Sequence, residues 1–234
     1  MYYLLTKAGR FLEMQQVKLM MKYGLKSYQP DPFGFVTSAA DIDRDPEGTH
    51  KKWLLIKEEL PAEPYTALDL GCNIGYFSFL MALNKADHVV GMELERGPVL
   101  VAEKLKTLGR VGNVGFLNAT ITDKNVDLLG EYDVILFLSV FHHLVHSGGM
   151  DAAKYVLSAL INKSRNALYF ETGQGDQGFG KMAGSMPKIA KEDALDYCTD
   201  LLMECGAGSI QLLGETSLKN SASRLLFKAK KRQE

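Results

Sequence analysis

The sequence predicts an α/β fold: a doubly wound, mostly parallel seven-stranded sheet with a reversed last strand, preceded by an N-terminal helical segment. Three observations predict it. Short apolar runs alternate with helical patterns from Ala67 to Glu171, the signature of a parallel sheet covered on both faces. A glycine-bearing turn, 67-ALDLGCNIGYFSF-79, joins the first run to the first helix. Two strand-like runs near the end, 209-SIQLLGE-215 and 223-SRLLFKAK-230, are joined too tightly for a parallel crossover.

The elements follow in order. Residues 3–25 read as an amphipathic helix, with Leu4, Leu5, Ala8, Phe11, Leu12, Val17 and Met20 expected on its buried stripe. The two prolines and the glycine of 28-YQPDPFGF-35 break it. A second helix is expected over Gly48–Leu60, stopped by Pro61 and Pro64. Strands are expected at Ala67–Leu70, His88–Met92, Val114–Asn118, Asp133–Leu138 and Ala167–Glu171. The helices between them should cover Tyr76–Asn84, Pro98–Leu108 and a stretch near Ala152–Ile161. A last helix near Lys191–Cys205 stops at Gly206. Residues 1–52 are expected to form a helical segment and substrate-side cap, and 53–234 the ligand-binding domain.

Composition bounds the function. Hydrophobic residues make up 46% of the 234 positions, enough for an ordinary globular core. No apolar run reaches the ~18 residues of a membrane span, and the charges near the start do not suit a signal peptide. Cys72, Cys198 and Cys205 match no metal spacing and are too few for a disulfide framework; a reducing cytoplasm is the simplest location. The net charge of −1 is uneven. Residues 1–30 carry five Lys/Arg against one Glu, and 219–234 carry six against one, leaving the middle strongly acidic. Basic ends suit either a polyanion or plain solvation.

The glycine turn carries the chemistry. Gly71 and Gly75 admit positive φ and close approach of a ligand. Asn73 is among the few other residues that tolerate the left-handed region. The turn lies at the carboxyl edge of the strands, the usual ligand crevice. Glu93, 22 residues after Gly71, ends the second strand, where an acid can accept both hydroxyls of a ribose. Asp69 precedes the first glycine. A carboxylate there suits a cationic amino group and repels a pyrophosphate. Together these point to a nucleoside that carries an amino group and no phosphate.

At these residues the chain resembles the class I S-adenosylmethionine-dependent methyltransferases. DLGCNIG resembles their first motif, and Glu93 stands at the ribose-binding acid. The resemblance spans roughly 53–230 and includes the reversed last strand. It implies S-adenosyl-L-methionine as cofactor, held by Asp69, Gly71, Cys72, Asn73, Gly75, Glu93 and Leu94, with Leu138 and Ser139 beside the sulfonium. The family often places an acid after the third strand to bind the adenine amine. Here 116-FLNATITD-123 has Thr120 instead, which passes that contact to Thr120, Ile121 or a backbone carbonyl.

The segment 138-LSVFHHLVH-146 opens the substrate side in that family. His142 and His143 are candidate general bases. His146 and Glu171 are candidate acceptor contacts. A divalent ion held by the three histidines and Glu171 is a second reading, and a purely structural role is a third. The glycine-rich 173-GQGDQGFGKMAGSMP-187, with Phe179, suits a lid or substrate wall. The sequence therefore predicts O-methylation of a small sugar or natural-product acceptor. RNA methylation through the basic ends, suggested by a short likeness of 133-DVILFLSVFHHL-144 to tRNA wobble-uridine and RNA 5′-end enzymes, is the rival. A catalytically silent protein that binds the cofactor or a partner is the non-enzymatic alternative.

Overall fold

A computed structural model of the chain describes residues 7–24, 29–35, 48–173, 186–217 and 223–233. Seven strands form one sheet: β1 (Tyr65–Leu70), β2 (Ala86–Glu93), β3 (Val114–Asn118), β4 (Tyr132–Leu138), β5 (Ser164–Glu171), β6 (Ala207–Ser217) and β7 (Ser223–Lys231). Their order across the sheet is β3-β2-β1-β4-β5-β7-β6. The pairs among β1 to β5 are parallel. β7 runs antiparallel to both β5 and β6, which is the reversed last strand that the short β6–β7 connection predicts.

The central strands β1, β4 and β5 are buried on both faces, and their side chains alternate between two cores. In β4, Val134, Leu136 and Leu138 face one core and Ile135 and Phe137 the other, as the period of two requires. The first core is covered by α1 (Lys7–Leu19), α2 (Thr49–Lys57), α3 (Tyr76–Ala82) and α4 (Arg96–Gly109); the second by α5 (Phe141–Gly148), α6 (Met150–Lys163) and α7 (Ala194–Glu204). No described helix is long and apolar enough to cross a membrane.

The N-terminal helix departs from expectation. It spans Lys7–Leu19 and continues as a π-turn over Met20–Gly24. Val17 is fully buried, with Met14, Met20 and Met21 packed behind it, whereas Phe11 and Leu12 are exposed. Arg10 ties the helix to α4, donating to the Leu108 carbonyl at 3.1 Å, while Met14, Val17 and Met21 line up to join the first core. That contact line follows the helical period and turns Phe11 and Leu12 outward. Leu4 and Leu5 lie outside the described residues. The boundary expected at 52/53 falls inside α2, whose Trp53 and Ile56 join the core beside Val17.

Candidate active site

The crevice is built at the carboxyl ends of β1, β2 and β4. After β1 the chain turns through Gly71 (φ 71°), Asn73 (φ 52°) and Gly75 (φ 86°). A Cβ on Gly71 would lie 2.5 Å from the Val140 side chain, so both conformation and space demand glycine there. The N–H groups of Gly71 and Cys72 donate to the Met92 carbonyl. The N–H of Asn73 donates to one oxygen of Glu93 at 3.0 Å, and the N–H of Glu95 to the other at 2.9 Å. Asn118 fixes the same corner, donating to the carbonyls of Glu93 and Leu94. Cys72 turns its thiol into the core, against Gly91. Burial, with Asp69 and Glu93 adding to it, raises that thiol well above its usual range. Cys72 therefore offers the crevice backbone only.

Asp69 is fully enclosed, and the Ser78 hydroxyl donates to it at 2.6 Å. Burial pushes its pKa up to about 7; the Ser78 bond opposes this and the nearby Glu93 charge adds to it. Asp69, Gly71, Leu138 and Ser139 line one small cleft together with Gln29, Thr49, Lys52 and Phe77. Leu94 and Thr120 are exposed at the far end beside buried Ile121. The Thr120 carbonyl accepts from Asn125 at 3.1 Å. Asn125 also receives the Thr122 N–H, which holds that corner open.

Directly after β4 comes Ser139, a non-glycine residue held at φ 60°, a strain of the kind that collects at functional sites. Its hydroxyl makes a very short bond to Glu171 and accepts from Arg224 at 2.7 Å. Glu171 ends β5 with no exposed surface. Lys52 bonds both its oxygens at 2.8 and 3.0 Å, and Arg224 approaches at 3.5 Å. Burial works to raise the Glu171 pKa, but the charges of Lys52 and Arg224 outweigh it, and the net shift is downward. Glu171 thus meets the crevice through Lys52 and Ser139.

The histidines separate. His142 is 3% exposed, and its Nδ1 accepts the Gly173 N–H at 3.3 Å. Burial, then the charges of His143 and Arg224, lowers its pKa to about 2. His142 is thereby held neutral, with its acceptor nitrogen already used. His143 stacks on it at 4.5 Å between ring centroids but reaches solvent. Its pKa is also lowered, by desolvation first and then by Arg224 and His146, against a raising influence from Glu93. His146 is exposed further along α5. Among the described residues no three His, Cys, Asp or Glu side chains converge to hold an ion. Glu171 turns away from the histidines into Lys52 and Arg224, so the four groups of the metal reading do not come together. Phe179 lies outside the described residues.

Residues 68–159 match the family model of a methyltransferase domain. The topology, the glycine turn and this match agree. The chain has the fold of the class I S-adenosylmethionine-dependent methyltransferases, and its matched segment is similar to their methyltransferase domain. Over 112 residues, 45% of this chain, it is 35% identical to the O-antigen chain terminator bifunctional methyltransferase/kinase WbdD of Escherichia coli, covering 15% of that protein. It is 26% identical over 169 residues to the tRNA U34 carboxymethyltransferase of Desulfotalea psychrophila, covering 68% of this chain and 48% of the relative. The chain thus spans less than half the length of either relative. Among solved structures, the bifunctional kinase-methyltransferase WbdD superposes with a TM-score of 0.70 at 24% identity, over 92% of this chain and 46% of that one. The N-terminal domain of EvdMO1 with SAH bound superposes at 0.64 and 14% identity, over 95% and 97%.

Sequence reasoning missed Gln29, Thr49, Lys52, Ser78 and Arg224. Gln29, Thr49, Lys52 and Arg224 come from distant parts of the chain and stand in no motif, whereas Ser78 lies within the glycine stretch itself, nine residues after Asp69. The nearest signal is Lys52 beside Trp53 on a helix that must bury one face.

Proposed function

We propose that this chain is a methyltransferase that uses S-adenosyl-L-methionine to methylate an oxygen of a small acceptor of the sugar or natural-product type. The observation that carries the cofactor is the pair of carboxylates flanking the glycine turn. Asp69 faces a narrow cleft where an ammonium is welcome, and Glu93 stands at the rim where a ribose diol is reached. Among the described residues no cluster of cations lines the turn to receive a pyrophosphate, so the donor set fits a phosphate-free nucleoside. Leu94, Thr120 and Ile121 form the end suited to adenine.

When bound, the cofactor supplies an electrophilic sulfonium methyl. The chain's own work is alignment and proton removal. Leu138 and Ser139 wall the cleft on the β4 side. His143 would accept the acceptor hydroxyl's proton, while the cofactor, held by Asp69, the 71–75 turn and Glu93, would supply the methyl and keep the electron pair of the bond it gives up. His142 is a positioning residue: its bond to Gly173 and its stacking fix the His143 ring. His146 and the segment containing Phe179 are assigned to the acceptor wall. The O-antigen relative supports a sugar-type acceptor, and the acidic middle of the chain disfavours nucleic acid. The tRNA relatives and the basic ends support RNA as the second reading.

The test is transfer of labelled methyl from S-adenosylmethionine to a panel of hydroxylated saccharides and to bulk tRNA, at low and high salt. Saccharide labelling that is insensitive to salt is expected. Labelling of tRNA alone, falling steeply with salt, would establish the rival. With an acceptor in hand, His143→Ala should lower turnover by about 10²–10⁴ while leaving cofactor affinity unchanged.

A further inference from the structure

The stretch 29-QPDPFGF-35 forms neither helix nor strand, yet it is held at several points. Gln29 is buried and lines the cleft with Asp69 and Gly71, and its Oε1 accepts the N–H of Tyr76, the first residue of α3, at 3.3 Å. Asp31 is fully buried, and its Oδ1 accepts the N–H groups of Phe33 and Phe35, both at 3.0 Å, which fixes the turn between them. Phe33 stacks on Phe35 with 5.3 Å between ring centroids and meets Phe79 edge-on at 5.0 Å. Phe79 in turn lies 5.1 Å from Phe116. A Cβ on Gly75 would stand 2.7 Å from Phe116 and 3.0 Å from Phe79, so the glycine turn rests on these two rings. One strap therefore reaches the crevice twice, through Gln29 in the cleft and through the ring column under the turn.

The strap is anchored on α4. Gly109 is the last residue of that helix, and its backbone is ordinary helix. Glycine is a poor helix former, and no turn calls for it there. Space does: a Cβ at 109 would stand 2.6 Å from the Phe33 ring. The bare backbone of Gly109 is a notch that this ring fills. Phe33 follows Gln29 by four positions, so the seat of the ring on α4 sets where Gln29 stands. We infer that Phe33, seated in the Gly109 notch, is a positioning residue for the cofactor. It holds Gln29 at the cleft and braces the Gly75 turn through Phe79, so that cofactor affinity is set in part from a helix end outside the crevice. The inference rests on the proposed cofactor and deepens it.

The test titrates S-adenosylhomocysteine by calorimetry into the wild type, Gly109→Ala, Phe33→Ala and the double variant, each well below its melting temperature. Alanine suits the helix better than glycine, so Gly109→Ala is expected to fold. It should nevertheless bind about fivefold or more weakly, the worth of one ordinary hydrogen bond, although residue 109 is not part of the cleft lining. Phe33→Ala should lose as much. With the ring gone, a methyl at 109 has space. The double variant should then bind no more weakly than Phe33→Ala alone, and melt at a higher temperature. Wild-type affinity in folded Gly109→Ala overturns the inference, even should Phe33→Ala fail to fold. Losses that simply add in the double variant overturn it too. Both results leave the cofactor reading standing, because the wild type binds. A wild type that binds no S-adenosylhomocysteine removes that reading, and this inference with it.

Discussion

Asp69 at the end of β1 and Glu171 at the end of β5 are both carboxylic acids with almost no exposed surface, and both end at the same edge of the sheet. Burial acts on each in the same direction, yet the outcomes are opposite. Asp69 has a hydroxyl for company and a second carboxylate nearby, and its pKa is pushed up to about 7. Glu171 has Lys52 and Arg224, and its pKa is pulled down. Asp69 is left short of positive charge, and Glu171 is already supplied with it. The first arrangement would favour a nearby cation, as the proposed function requires; the second is a strut that fixes two cations. Function is concentrated where a charge is left unmatched, and rigidity where it is matched.

The largest effect should come from breaking the strut. Glu171→Gln leaves Lys52 and Arg224 buried without their counter-charge. Removing one partner of a buried pair costs about 3–5 kcal/mol. Urea unfolding should show that loss, and near wild-type stability would mean the cations find water instead. Asp69→Asn should do the reverse. A folded pKa raised above its unfolded value near 3.8 contributes stability that is present below that value and is lost as pH rises through about 7. The amide removes the loss, so at pH 8 the variant should be more stable than wild type by about 1–3 kcal/mol. Its cofactor affinity should fall at least tenfold. A variant that is both less stable and equally tight would reverse the assignment.

A smaller effect separates His142 from its neighbour. Its pKa is depressed to about 2 in the folded chain. Its contribution to stability is therefore complete above the unfolded value of about 6.5 and is lost as pH falls toward the folded value. Below pH 6.5 this costs up to about 1.4 kcal/mol per pH unit. His142→Gln, whose amide oxygen can still accept the Gly173 N–H, should show a flatter acid slope in thermal melts. An unchanged slope would mean that His142 is protonated in place.

The contrast between the two carboxylates also shows what a sequence discloses. The positions of Asp69, Gly71, Gly75 and Glu93 were legible because their signals are local: a turn needs positive φ, and an acid closes each of the two strands at the crevice edge. The strands were legible because burial on both faces leaves unbroken apolar runs. Glu171 was placed at the right strand end but assigned to the acceptor, since Lys52 is 119 positions away and Arg224 arrives on the reversed strand. Phe11 and Leu12 were assigned to the core because an apolar residue on an amphipathic helix suggests burial. Only the contact line with α4 reveals which face is covered. The histidines read as equivalents because nothing local to 138–146 shows that Gly173 claims one of them.

The most direct measurement of the central claim is the proton balance of cofactor binding. Titrations of S-adenosylhomocysteine at pH 7, in two buffers of different ionisation enthalpy, report the protons released. An Asp69 carboxyl with a pKa of about 7 is roughly half protonated there, and an ammonium docked beside it drives that proton off. The account predicts release of up to about half a proton per ligand in the wild type and none in Asp69→Asn, which should also bind at least tenfold more weakly. Binding heats that are identical in both buffers, with undiminished affinity in Asp69→Asn, would contradict it.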